Sequence, residues 1–246
     1  MTESQKETLR FYTTNDYLLI NGLLWKAEEE TIDFFIRLIN EDGRGVMAEA
    51  EAQGYDVRWN CSREEGEALY RVYQRRFPVL GDPQVKDRIL TQARQDIQNM
   101  MSCMTPLEEE LLLYRNVHPR FVEPLEEGMR FEHLGFSSCS LSPHVPEDAS
   151  YGASDCCQLE ITVPAGTPAI RMDRMPEVQN EPDEVILAPL VFYVTKVDKE
   201  KGKICMSCLQ TMAEDWPWYE APEAEQAKAE IQADPRWAAW VAAAQL

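Results

Sequence analysis

The sequence predicts an α+β fold in which helices come first and strands follow. Three observations carry this expectation. Apolar residues recur with helical spacing through most of the first hundred positions, and the period becomes strand-like after Pro106. The later runs are short and are separated by Pro, Gly, Asp and Asn.

The helical part holds three patterns. Ile32, Phe35, Ile36 and Ile39 follow the i, i+3, i+4, i+7 rule and give one apolar stripe. Ser62-Arg63-Glu64-Glu65 is a capping box, in which Ser62 and Glu65 each satisfy a free backbone amide. Leu69, Val72 and Tyr73 then line one face. Asp82-Pro83 supplies an N-cap and a proline at the first helical position, ahead of Val85, Ile89, Ala93 and Ile97.

Strands are expected at Leu111 to Val117, Phe131 to Leu141, Gln158 to Val163 and Ala169 to Met172. Three more follow at Glu184 to Leu190, Phe192 to Val197 and Ile204 to Leu209. Residues 1–210 thus read as one domain, mainly helical over 1–106 and mainly strands over 107–210. Residues 211–246 read as a C-terminal helical appendage, in which Trp216-Pro217-Trp218-Tyr219 precedes an Ala/Glu-rich stretch. Asp234-Pro235 then starts a short helix with Trp237, Trp240 and Val241 on one side, suited to docking through its tryptophans.

Composition limits the partners. Twenty-four Lys and Arg against 43 Asp and Glu leave a formal charge of -19, whose field repels phosphate backbones and anionic lipid. This argues against nucleic acid and membrane and makes a basic protein the more natural partner. The run Leu18-Leu19-Ile20 stops at Asn21-Gly22, and no apolar run approaches the roughly 20 residues that span a bilayer. The polar start Met1-Thr2-Glu3-Ser4 carries no signal-peptide pattern. The chain is expected to be made in the cytoplasm, and any delivery into another cell would use a route without a classical signal peptide.

Seven cysteines, an odd number spread over a long chain, read as reduced thiols. Cys205-Met206-Ser207-Cys208 and Cys156-Cys157 invite a zinc reading, but strand neighbours point to opposite faces and no His lies close in sequence. No metal site is expected. His118, His133 and His144 lack triad-like companions, and Cys139 lacks an evident base, so nucleophilic catalysis is not expected.

Three ordered segments carry the chemistry: Leu113-Tyr114-Arg115, Gly135-Phe136-Ser137-Ser138-Cys139-Ser140 and Glu181-Pro182-Asp183-Glu184-Val185-Ile186-Leu187. In each, a polar group sits in or beside an apolar run, which projects an arginine, a serine and a carboxylate from neighbouring strands into one cleft. Such a set suits binding an anionic dinucleotide and breaking a glycosidic bond. Helices followed by these three strands resemble the mono-ADP-ribosyltransferases of the Arg-Ser-Glu type, the bacterial exoenzyme toxins and their relatives. The stretch from Leu9 to Leu24, with Tyr12-Thr13, Tyr17, Ile20-Asn21 and Leu23, resembles the family's entrance helix. Phe136-Ser137-Ser138-Cys139-Ser140 resembles its Phe-x-Ser-Thr-Ser strand, and Leu159 to Thr167 resembles its next strand and turn. The resemblance covers roughly residues 9–210.

The resemblance implies a split antiparallel sheet core, with NAD as substrate bound between the sheets and ADP-ribose passed to a protein side chain with loss of nicotinamide. It implies Arg115, Ser138 and Glu184 as the catalytic set. Arg115, Asn116, Ser138, Ser140 and Tyr151 would lie along the NAD side, and Gln179, Glu181 and Asp183 on the loop that meets the acceptor. The planar donors of Arg115 would suit the pyrophosphate or ribose side of NAD better than a lysine would. Ser138 would bond the ribose and orient the glutamate, and Glu184 would stabilise the positive charge that develops on the sugar.

Two departures bear on specificity. The arginine-modifying members carry a second glutamate two residues before the catalytic one, and the asparagine-modifying members a glutamine. Here that place is Pro182, which has no side-chain donor or acceptor. If Glu181 were instead the catalytic carboxylate, Gln179 would complete a Gln-x-Glu. Glu184 is preferred because the strand Val185-Ile186-Leu187 follows it directly. Asn116 stands where the family often has glycine, and asparagine tolerates the positive φ of a turn there. Two other activities stay open: NAD hydrolysis, with water in place of the acceptor, and a non-enzymatic interaction module that keeps the fold.

Overall fold

The computed structural model describes residues 1–13, 17–24, 84–117, 122–133, 135–144, 157–178 and 183–211. The expected helices around Ile32 to Ile39 and Ser62 to Tyr73, and the appendage from residue 212 onward, lie outside these residues.

Three helices are described: α1 (Glu3–Phe11), α2 (Tyr17–Leu24) and α3 (Val85–Ser102). The stretch from Leu9 to Leu24, read from the sequence as one entrance helix, is divided between α1 and α2. α1 starts in a capping box: Thr2 Oγ1 accepts the Gln5 amide at 3.2 Å, and Gln5 Oε1 accepts the Thr2 amide at 2.6 Å. α3 begins at Val85 with Gln84 as its N-cap and no side-chain cap, so Asp82-Pro83 falls ahead of it, outside the described residues. The predicted stripe is otherwise observed, since Ile89, Ala93 and Ile97 are fully buried.

A buried polar network fixes how α1 crosses α3. Thr8 Oγ1 donates to Asp96 Oδ1 at 2.7 Å and accepts from Asn99 Nδ2 at 2.9 Å, and the same Asn99 amide donates to Ser4 Oγ at 3.0 Å. Because Asp96 is buried, these bonds replace water that the carboxylate has lost. Sliding one helix by a turn would break all of them together.

The other described residues carry one nine-stranded sheet of β1 (Thr105–Pro106), β2 (Leu111–Val117), β3 (Arg130–His133), β4 (Ser137–Ser140), β5 (Cys157–Val163), β6 (Pro168–Arg171), β7 (Glu184–Leu187), β8 (Leu190–Asp198) and β9 (Lys203–Thr211). Their order is β1-β6-β7-β4-β2-β5-β9-β8-β3. The fold is α+β. The sheet is mixed rather than wholly antiparallel, because β5 and β9 run parallel.

Two expected strands prove to be pairs. The run from Phe131 to Leu141 divides into β3, which pairs with β8, and β4, which pairs with β7 and β2. The reason is a contact distant in sequence. The N–H and C=O of Phe136, which a continuous strand would offer to a ladder, are both taken by the side chain of Asn21 on α2, at 2.8 and 3.1 Å. The run from Glu184 to Leu190 divides between β7 and β8 at Ala188-Pro189, since Pro189 has no N–H to give to a ladder.

Buried apolar side chains come from the helices and from the sheet, and along β7 from both faces of the strand. Leu9, Leu19, Ile20, Leu23 and Met100 are fully or almost fully buried, as are Phe136, Val185, Ile186 and Leu187. The Thr8→Val substitution removes two hydrogen bonds from the interior of the α1–α3 contact while keeping the volume. It should cost about 1–3 kcal/mol of unfolding free energy, measured by urea denaturation.

Candidate active site

The site is built where β4 is shared between β7 and β2. In β4, Ser137 and Cys139 are buried while Ser138 and Ser140 are partly open, the alternation expected of a strand. The register with β7 sets Ser140 opposite Glu184 and Ser138 opposite Ile186. Ser138 is therefore the diagonal neighbour of Glu184 on one face, within reach of its side chain. Its hydroxyl donates to Glu184 Oε1. Glu184 is only 6% exposed, so this carboxylate is held in the protein rather than in bulk water.

On the other side, β4 and β2 meet at a single pair, Tyr114 with Ser140. Past that pair Arg115 and Asn116 continue along β5, opposite Leu159 and Gln158, and have no partner on β4. The sheet opens there, and the Arg115 guanidinium spans the opening, donating from Nη1 to the Ser138 carbonyl at 3.4 Å. Arg115, Ser138 and Glu184 are thus brought together, with Ser138 linked to the arginine through its backbone and to the glutamate through its side chain.

The other sequence-predicted residues fare differently. Ser140 sits beside Glu184 in register, but its Oγ accepts the Ser142 amide at 3.0 Å and so closes the turn after β4. Asn116 lies within β2, paired with Gln158, and is a strand residue rather than the turn residue expected. Asp183 is exposed, and its carbonyl accepts the Leu141 amide at 2.8 Å, anchoring the chain just before Glu184. Further back, the Glu177 carbonyl accepts from Arg10 Nη2 at 2.7 Å. Tyr151, Gln179, Glu181 and Pro182 lie outside the described residues.

Three side chains not chosen from the sequence stand around the trio. Tyr12 is 2% exposed and packs edge-on against Phe136 with ring centres 5.9 Å apart. Burial pushes its hydroxyl well above the ordinary tyrosine range; the Arg115 charge opposes this and the Glu184 charge adds to it, so Tyr12 lies within electrostatic reach of both. His133, set aside in the sequence reading, has Nδ1 at 2.8 Å from the Gly135 carbonyl, which requires the proton on Nδ1. Burial, reinforced by the Arg115 charge, pushes its pKa down to about 4, so the ring is neutral at pH 7. Asn21, 3% exposed, completes the group.

Cys139 is not a nucleophile. Burial raises its thiol to about 12, with Arg115 pulling down and Glu184 pushing up. Among the described residues the cysteines are free thiols. Cys205 donates to Glu160 at 3.6 Å, Glu160 pairs with Lys203, and Cys208 is buried. Among those residues no group of three or more His, Cys, Asp or Glu gathers as a metal site. No described helix is long and apolar enough to cross a membrane.

No family model matches the chain, and no curated protein matches it. The chain is similar to solved structures of bacterial ADP-ribosyltransferase toxins. One is Plx2a from Paenibacillus larvae, with 16% identity over 85% of this chain and 88% of that one and a TM-score of 0.44. Another is the Vis toxin from Vibrio splendidus, with 16% identity over 88% of this chain and 76% of that one and a TM-score of 0.40. A third is the ADP-ribosylating toxin BECa of C. perfringens, solved with NADH, with 12% identity over 84% of this chain and 43% of that one and a TM-score of 0.47.

The depressed pKa of His133 sets a pH dependence. An unfolded histidine binds a proton near pH 6.5, whereas the folded one binds it only near about 4. Between these values the unfolded state carries more protons, so stability is full above about pH 6.5 and falls as the pH drops through about 4. Relative to His133→Gln, the native protein should lose up to about 3 kcal/mol from pH 7 to pH 4, read from urea unfolding at several pH values.

Proposed function

We propose that the protein is an NAD-dependent mono-ADP-ribosyltransferase that moves ADP-ribose from NAD to a protein side chain and releases nicotinamide. The observation that carries this reading is the buried Glu184 carboxylate held by the Ser138 hydroxyl, with Arg115 across the opening of the sheet.

The residues suit NAD as substrate. Arg115 uses one of its five N–H donors on the Ser138 carbonyl, and among the described residues the others have no hydrogen-bond partner. Those donors match pyrophosphate or ribose oxygens in number and charge. Cleaving the bond from ribose C1′ to nicotinamide leaves electron deficiency on the sugar, with the bonding pair departing on the nicotinamide nitrogen. Glu184 is the fixed negative charge for that centre, and its position is set before reaction because Ser138 and the β7 ladder hold it. The acceptor's nucleophilic atom then bonds C1′ and loses its proton.

In this reading Ser140 and Tyr151 flank NAD, and Gln179, Glu181 and Asp183 meet a basic protein acceptor. A second reading, NAD hydrolysis, is favoured by Pro182, which offers nothing to orient an incoming side chain. Incubation with labelled NAD and a cell extract, following both protein label and free nicotinamide, separates the two. Label on protein supports transfer; nicotinamide without label supports hydrolysis; neither product, with a protein that stays folded, overturns both and leaves an interaction module.

Glu184→Gln should lower nicotinamide release by about 10²–10³-fold, mainly in kcat. Arg115→Lys should raise KM for NAD by about tenfold or more, since a point charge replaces a planar fork. Steady-state kinetics on folded variants checks both.

A further inference from the structure

We propose that Asn21 is a positioning residue that fixes the backbone presenting Ser138 to Glu184. This inference rests on the reading of Ser138 and Glu184 as working parts of the site.

Asn21 sits on α2, almost fully buried, and both ends of its amide are committed to one residue. Oδ1 accepts the Phe136 N–H at 2.8 Å and Nδ2 donates to the Phe136 C=O at 3.1 Å. One residue earlier, the Gly135 carbonyl accepts from His133 Nδ1 at 2.8 Å. One residue later, the ladder to β7 begins with Ser137 opposite Leu187. The backbone leading into Ser138 is therefore tied at three successive residues, twice by side chains and then by the sheet.

The tie on Phe136 matters most because it holds the residue just before the ladder to β7 begins. β4 meets β2 only at Ser140, so between Gly135 and Ser138 it is held on one edge alone. The Phe136 ring is fully buried and packs edge-to-face with Tyr12. A bidentate amide gives the segment one position along its axis, which apolar packing alone does not specify. An apolar residue in place of Asn21 removes both of these bonds from the buried Phe136 backbone, and the segment must shift to replace them. Any shift carries the Ser138 hydroxyl away from Glu184 and the Ser138 carbonyl away from Arg115 together. Loss of this residue should thus appear in kcat more than in KM, because NAD affinity draws on many contacts and transition-state charge on this one.

The test uses the full chain with Asn21→Ala and Asn21→Asp, each assayed well below its melting temperature. Asn21→Ala should lower kcat for nicotinamide release by about tenfold or more, with KM for NAD within about threefold. Amide hydrogen exchange should quicken across residues 136–138 while β5 and β9 keep their protection. Protonated aspartic acid places an O–H and a C=O where the amide had N–H and C=O. The activity ratio of Asn21→Asp to Asn21→Ala should therefore rise as the pH is lowered. A kcat within twofold of the native value, unchanged exchange at 136–138, or exchange quickened across the whole sheet would each overturn the proposal. A native protein that releases no nicotinamide overturns the function instead, and the exchange pattern then decides the role of Asn21 by itself.

Discussion

The single backbone pair between Tyr114 and Ser140 is the constraint on which the site depends. A full ladder between β2 and β4 would close the sheet over the place where Arg115 now reaches Ser138. No ladder at all would leave Arg115 and Glu184 on separate parts of the molecule. One pair gives a hinge point: β4 stays in register with Glu184 on β7, while β2 departs with β5 and opens a seam lined by a guanidinium, a hydroxyl and a carboxylate. The cost of the opening is lost ladder bonding at the start of β4, and the Asn21 amide offsets it by satisfying Phe136.

The electrostatics of the seam follow from burial. Tyr12, His133 and Cys139 are all shifted toward their neutral forms, with desolvation the leading cause in each, and all three feel the Arg115 charge. The seam therefore sets Arg115 and Glu184 among groups that burial keeps neutral. Fixed charges in such surroundings are weakly screened and need no rearrangement when charge develops on a substrate. This is also why the nearby thiol and imidazole are poor candidates for chemistry: one stays protonated and the other stays neutral.

Much of this was legible in the sequence because local pattern determines it. The bounds of β2 match the predicted run from Leu111 to Val117, and the stripe Ile89, Ala93, Ile97 is buried as its spacing requires. Arg115, Ser138 and Glu184 meet because strand alternation and register are strict. The division of Phe131 to Leu141 into two strands was not legible, since its cause is a side chain 115 positions away in sequence. Tyr12 and Asn21 were legible only within the resemblance of Leu9 to Leu24 to an entrance helix, since nothing in that stretch itself marks either as a neighbour of the trio. The Thr2-Glu3-Ser4-Gln5 box that starts α1 was readable by the same rule that picked out Ser62, but the buried face behind it includes the polar Thr8, which breaks the apolar period.

If the protein binds NAD as proposed, its overall field and its site are in conflict. With a formal charge of -19, the surface as a whole repels phosphate, although salt limits that repulsion to about 8–10 Å. The attraction must therefore be local, and the disposition of the arginines supplies it. Arg171 is locked on both carboxylate oxygens of Asp173 at 2.7 and 2.6 Å, and Arg174 meets Glu108 at 3.3 Å, so both are neutralised where they stand. Among the described residues Arg115 bonds only a carbonyl, and its charge stays available in the seam. On the proposed reading, the same acidity that opposes NAD at long range favours a basic protein, so one field would select against free anions and for the acceptor. On that reading the positive group that meets NAD is best confined to a crevice, where partly buried walls make a single arginine count for more than several on the surface.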